Sequence, residues 1–117
     1  MKDIFDNTKF GRFNLKSRII RTGLWESQNE GTHGLSQDIF NRYENLAKNN
    51  VGLIITELIS LYSHDRFSDY SDYINYPYFI KEFKELTEMV HEHDIPIFAQ
   101  IGFINCNVNG KQMMEVN

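Results

Sequence analysis

The chain has 117 residues, 41% of them hydrophobic and 24% charged, with a formal net charge of −4. That hydrophobic content argues against intrinsic disorder, the length suits one compact domain, and the mildly acidic balance gives no electrostatic footprint for nucleic acid. A single cysteine, Cys106, excludes an intrachain disulfide and any four-cysteine zinc site, and fits a reducing, cytoplasmic setting. The N-terminal run Met1-Lys2-Asp3-Ile4-Phe5-Asp6 carries acids where a signal peptide needs an apolar stretch. The apolar run from Val51 to Ile55 is far too short to span a membrane.

In chain order, Phe10, Phe13 and Leu15 flank Gly11-Arg12 and predict a β-hairpin over 4–16. Ile19-Ile20 predicts a first buried strand over 18–22, ending at Gly23. The polar stretch from Glu26 to Gly34 reads as a loop. Ser36 is an N-cap for a helix over 37–49, whose apolar stripe is Ile39, Phe40, Tyr43, Leu46 and Ala47. Asn49-Asn50 can end it, because Asn tolerates left-handed backbone. Val51 to Glu57 is apolar without alternation, as expected of a strand covered on both faces (51–57).

Leu61 to Tyr78 holds five of the six tyrosines and shows no helical stripe, so it reads as a long loop. Pro77 then precedes a second helix over 78–93, with Phe79, Ile80, Phe83, Leu86 and Val90 as its apolar face. Ile95 to Ile101 predicts a third strand (95–101), and from Phe103 the periodicity dissolves. Strands alternating with amphipathic helices imply an α/β fold with parallel strands.

In such folds, ligands bind beyond the carboxyl ends of the strands, here Thr22-Gly23, Thr56-Glu57, and Gln100 with Gly102. Two readings of these residues stand: ordinary strand ends meeting solvent, or one ligand site collecting all three. The sequence has neither G-x-G-x-x-G nor G-x-x-x-x-G-K-[ST], which leaves a Rossmann turn and a P-loop unsupported. His91 and His93 lie two apart on a helix, roughly 200° round its axis, and cannot chelate one metal. No metal site is expected. His33 and His64 are loop histidines on the presumed ligand side, and Cys106 has no basic neighbour in sequence.

Three stretches resemble old yellow enzyme-type NADH:flavin oxidoreductases. Lys16-Ser17-Arg18-Ile19-Ile20-Arg21-Thr22-Gly23-Leu24-Trp25-Glu26 resembles the family's first strand, in the branch with "R-S-A-T-W-E". Leu46 to Glu57 resembles "L-A-K-G-G-V-G-L-I-I-T-E", the strongest of the three. Val90-His91-Glu92-His93-Asp94, followed by Ile97 to Gly102, resembles "V-H-x-H-G…I-F-x-Q-L-G". The match spans residues 4 to about 105 and implies part of an FMN-binding (β/α)8 TIM barrel with the early hairpin closing its bottom.

The resemblance implies that Thr22, Gly23 and Leu24 border the flavin through their backbone, with Trp25 beside them. It also implies that Leu58 touches the isoalloxazine and that Gln100 hydrogen-bonds its pyrimidine edge. The implied activity passes a hydride from NADH or NADPH to FMN and on to an activated alkene or similar small-molecule acceptor. Departures are Gly23 for Pro or Ala, Leu58 for a smaller residue, Asp94 for Gly, and Phe103 with Asn105 for "H-x-G". A full barrel needs roughly 250 residues, so three strands with open edges are expected to be inactive and to bind FMN poorly alone. A second reading is a non-catalytic barrel fragment that self-associates into a homo-oligomeric binding module. A flavodoxin-like domain fits less well, since it wants about five strands and a phosphate-binding first loop.

Overall fold

The computed structural model describes residues 1–23, 35–61 and 77–102, together with 107–108 and 111–112. Strands β1 (Thr8–Phe10) and β2 (Phe13–Leu15) form the expected antiparallel hairpin, with Phe10 opposite Phe13. Gly11 takes φ 56° in the turn, a conformation in which a side chain would be strained. The hairpin packs on the sheet through an edge-on contact between Phe13 and Phe98, ring centroids 5.4 Å apart.

β3 (Ile20–Arg21), β4 (Leu53–Ser60) and β5 (Ile97–Gly102) form one parallel sheet in the order β3-β4-β5. Helix α1 (Gln37–Lys48) connects β3 to β4 along the chain, and α2 (Phe79–Glu92) connects β4 to β5. The α/β class and the strand–helix alternation are therefore as the sequence predicts. Ser36 caps α1 by accepting the Ile39 N–H at 3.3 Å.

One core holds the three layers of sequence together. Ile39, Tyr43 and Ala47 of α1 meet Leu86 and Val90 of α2 over Val51, Ile54 and Ile95, with Phe40, Leu46, Phe83, Met89 and Ile97 around them. These are the stripes expected of the helices, apart from Phe79 and Ile80 at the start of α2. Ile80 is 80% exposed, because it lies at the first turn of α2, beyond the reach of the sheet; Met89 packs against the core instead.

Other boundaries also differ. β4 runs to Ser60, three residues past the expected end, because Ile59 and Ser60 are still buried and paired. The first strand is short, and Ile19 and Ile20 are 36% and 39% exposed rather than buried. It occupies an edge of the sheet among the described residues, so one side of it lacks a strand neighbour. β6 (Asn107–Val108) pairs antiparallel with β7 (Lys111–Gln112), where no element was expected. The sequence signal for it is Asn109-Gly110, a dipeptide suited to two-residue hairpin turns.

The amino ends of β3 and β4 are locked tightly. The buried Ser17 hydroxyl donates to the Asn50 carbonyl at 2.6 Å, and the Gly52 N–H donates to the Ile19 carbonyl at 2.8 Å. A Cβ on Gly52 would sit 2.1 Å from the Ser17 carbonyl oxygen, so only glycine fits there. Asn50 and Asp94, just after α1 and α2, adopt φ of 62° and 56°. Both helices thus end through a left-handed residue, and Asp94 does so with a side chain that disfavours it.

Asp94→Gly is expected to stabilise the chain by about 0.5–1 kcal/mol by relieving that backbone. Urea unfolding followed by circular dichroism checks this: the midpoint rises at unchanged slope, and a lower midpoint contradicts it.

Candidate functional site

The carboxyl half of the sheet departs from regular pairing at one place. Ile55 is opposite Phe98 and Leu58 is opposite Gln100, so Thr56 and Glu57 of β4 face the single residue Ala99 of β5. This β-bulge removes ladder partners from the backbone around it, and buried backbone groups must then be satisfied otherwise. Side chains supply the partners. The Thr56 hydroxyl accepts the Gln100 N–H at 2.9 Å and donates to the Glu57 carbonyl at 2.9 Å. The Glu57 N–H donates to the Tyr43 hydroxyl oxygen at 3.0 Å. Arg21 Nη1 donates to the Ile55 carbonyl at 3.1 Å and to the same tyrosine oxygen at 3.3 Å.

Tyr43 reaches the bulge because it lies on the buried stripe of α1, itself only 1% exposed. A buried phenol needs a polar partner, and the bulge provides one. The Arg21 guanidinium also stands over the Tyr43 ring, 5.2 Å from its centroid. Burial pushes the Tyr43 hydroxyl above its ordinary value of 10.0, against smaller downward effects from the Glu57 backbone bond and from Arg21. The neutral phenol is therefore the form that holds the bulge.

Beside the bulge, the ends of all three parallel strands converge. A Cβ placed on Gly23 would lie 1.9 Å from Gln100 Oε1 and 2.6 Å from the Thr56 carbonyl oxygen. The missing side chain of Gly23 is thus the space that the Gln100 side chain occupies. On the next rung, a Cβ on Gly102 would lie 2.9 Å from Leu58 Cδ1. Gln100 is exposed, and its side-chain amide makes no hydrogen bond among the described residues. It offers one acceptor and two donors at the carboxyl edge of the sheet, where a planar heterocycle with alternating donors and acceptors could pair with it.

Gly23, Thr56 and Gln100 lie within contact distance of one another, so these segments converge in space. Thr56-Glu57 is not a strand end, however. It is the bulge in mid-strand, and Glu57 is buried rather than solvated. Thr22 is exposed next to Gly23, and Leu58 is paired with Gln100. Leu24, Trp25, His33, His64 and Cys106 lie outside the described residues. His91 and His93 end α2, ahead of the amino end of β5 and away from the converging carboxyl ends. Among the described residues no group of three His, Cys, Asp or Glu could hold a metal, and no helix is long and apolar enough to cross a membrane.

Arg21, Tyr43 and the role of Thr56 were not evident from the sequence. For two of them a signal existed: a cation directly after the Ile19-Ile20 pair, and a phenol within the apolar stripe of α1. Neither reveals a bulge, which depends on the register of two strands far apart in sequence.

The sequence matches no protein-family profile and no curated protein. Solved structures do match. The chain is similar to the old yellow enzyme homologue from Zymomonas mobilis, with 25% identity over 89% of this chain and 29% of that one, at a TM-score of 0.75. It is similar to the old yellow enzyme from Trypanosoma cruzi, with 27% identity over 84% of this chain and 26% of that one, at a TM-score of 0.72. Morphinone reductase in complex with tetrahydroNAD shares its fold, with 24% identity over 90% and 28% of the two chains and a TM-score of 0.72. The resemblance seen in the sequence therefore extends to the structure: hairpin, parallel strands and helices are arranged as in part of an old yellow enzyme barrel. The chain spans less than a third of the length of each of these structures.

The raised Tyr43 value gives a pH dependence. Below pH 10 the phenol is neutral in both folded and unfolded chains, so its contribution is complete. As pH rises past 10, the unfolded chain releases that proton before the folded one, and stability falls. Tyr43→Phe is expected to lose about 1–3 kcal/mol at pH 7, by leaving the Glu57 N–H unpaired, and to show a shallower decline above pH 10. Urea titrations at pH 7 and above pH 10 measure both; equal slopes in the two proteins would contradict the assignment.

Proposed function

We propose that this chain supplies one wall of the flavin site of an FMN-dependent oxidoreductase of the old yellow enzyme type. The observation that carries the reading is the Gln100 amide, unpartnered among the described residues and held beside Gly23 at the carboxyl edge of a parallel sheet. The similarity to old yellow enzyme structures supports it independently.

The residues suit the pyrimidine edge of an isoalloxazine. That edge presents a ring N–H between two carbonyl oxygens, and a glutamine amide can accept from the first and donate to a second. Gly23, having no side chain, leaves the room in which the Gln100 amide lies against the strand end. Thr22, Leu24 and Trp25 extend the same wall in sequence, and Leu58, on the rung paired with Gln100, gives it an apolar surface.

When bound, FMN supplies hydride transfer from NADH or NADPH to an activated alkene or similar small-molecule acceptor. This chain's own part is orientation. Gln100 would hold the pyrimidine edge of the ring through its amide, with Leu58 and Gly23 beside it. The tetrahydroNAD in the morphinone reductase structure agrees with a nicotinamide donor. The single cysteine agrees with a reducing, cytoplasmic location.

Titration of the 15N-labelled chain with FMN, followed by NMR, tests the cofactor reading. We expect shifts at the Gly23 and Leu58 N–H groups and at the Gln100 side-chain amide, with a dissociation constant of about 1 mM, since only one edge of the ring is held. Lumiflavin, which lacks the phosphate, should reproduce them and inorganic phosphate should not. Silence at all three positions with both flavins overturns the reading.

A further inference from the structure

We propose that Arg21 and Tyr43 are positioning residues for Gln100, acting through the β4 bulge rather than by touching a ligand. The inference deepens the flavin reading and rests on it for what Gln100 contacts. The mechanical coupling stands on the structure of the chain alone.

The Gln100 backbone is held on its β4 side by the Thr56 hydroxyl at 2.9 Å, and Thr56 belongs to the bulge. A bulge has more than one local arrangement available, and the extra residue can slide to either side of the residue opposite it. Two bonds select the arrangement seen. Tyr43 Oη accepts the Glu57 N–H on one flank of the extra residue, and Arg21 Nη1 donates to the Ile55 carbonyl on the other. Arg21 and Tyr43 also meet each other at 3.3 Å, so strand β3, helix α1 and strand β4 close into one bonded loop. Sliding the bulge by one residue would break both bonds and carry Thr56 away from Gln100.

The same loop sets the opposite side of the wall. Arg21 is two residues before Gly23 on the same chain segment, so the group that fixes the bulge also fixes the position of the glycine against which the Gln100 amide rests. The clamp therefore determines the spacing between Gly23 and Gln100, which is the width of the candidate site at this edge. The Arg21 guanidinium points back to Tyr43 and the Ile55 carbonyl, behind the bulge.

Hydrogen exchange and FMN titration on the full chain separate this proposal from the flavin reading. The exchange rate of the Gln100 N–H is compared with that of the Gly52 N–H. The latter bonds the Ile19 carbonyl at 2.8 Å at the amino end of the sheet, away from the clamp. In Tyr43→Phe and in Arg21→Met the ratio is expected to rise about tenfold, the loss of one net hydrogen bond. In Leu86→Ala, a core truncation on α2 that loses global stability, both rates rise together and the ratio stays constant. FMN-induced shifts at the Gln100 side chain should weaken in the two clamp variants and persist in Leu86→Ala. An unchanged ratio in both clamp variants overturns the proposal. Arg21→Met decides if Tyr43→Phe does not fold. A raised ratio with no FMN shifts in the unmodified chain supports the clamp and rejects the flavin reading.

Discussion

The arrangement of the sheet's carboxyl edge depends on the hydrogen bonds around Thr56 and Glu57. One extra residue in the central strand frees backbone groups in a region where water cannot reach all of them, and each must be paired. The pairing is done by a hydroxyl on the strand itself, a phenol from the helix behind it and a guanidinium from the strand beside it. A local irregularity thereby becomes a junction between three elements. Removing the Tyr43 hydroxyl would leave a buried N–H unpaired, a larger penalty than the modest net gain of forming such a bond.

Two tight glycines sit at opposite ends of the same sheet. At the amino end, Gly52 admits the Ser17 carbonyl and locks the start of β4 to the segment before β3. At the carboxyl end, Gly23 admits the Gln100 side chain. Between them the strands are pinned by the helices on one face, with Ile39, Tyr43, Leu86 and Val90 forming the contact. On the opposite face of β5, Phe98 meets the hairpin and Gln100 is exposed. Stability and ligand-facing polarity are thus separated: the helices cover one side, while the amide that can read a ligand stands on the other.

Much of this was legible from residue patterns. The Ser36 cap, the Ile39–Tyr43–Ala47 stripe and the apolar run into β4 are local signals, and each produces the element it predicts. The convergence of Gly23 with Gln100 was foreseeable only as one of two alternatives, since it depends on how strands far apart in sequence are placed. Ile20 misled because a β-branched pair reads as buried whether its strand is central or at an edge. Ile80 misled because helical spacing continues past the point where a helix leaves its sheet. The bulge was invisible for a related reason: an apolar run without alternation conceals a shift in register. The resemblance to old yellow enzymes pointed at Gln100 but not at Tyr43 or Arg21, whose contribution emerges only from the bonds they make.

The central claim is that Gly23 and Gln100 share one space at the edge of the sheet. A double-mutant cycle with Gly23→Ala and Gln100→Ala, read by urea unfolding, tests it most directly. The account predicts that Gly23→Ala is destabilising, and that it costs about 1 kcal/mol less when Gln100 has already been truncated, because the new Cβ's closest clash, with the Gln100 side chain, is then gone. Additive effects, within about 0.3–0.5 kcal/mol, would mean that the two residues do not touch and would contradict the account.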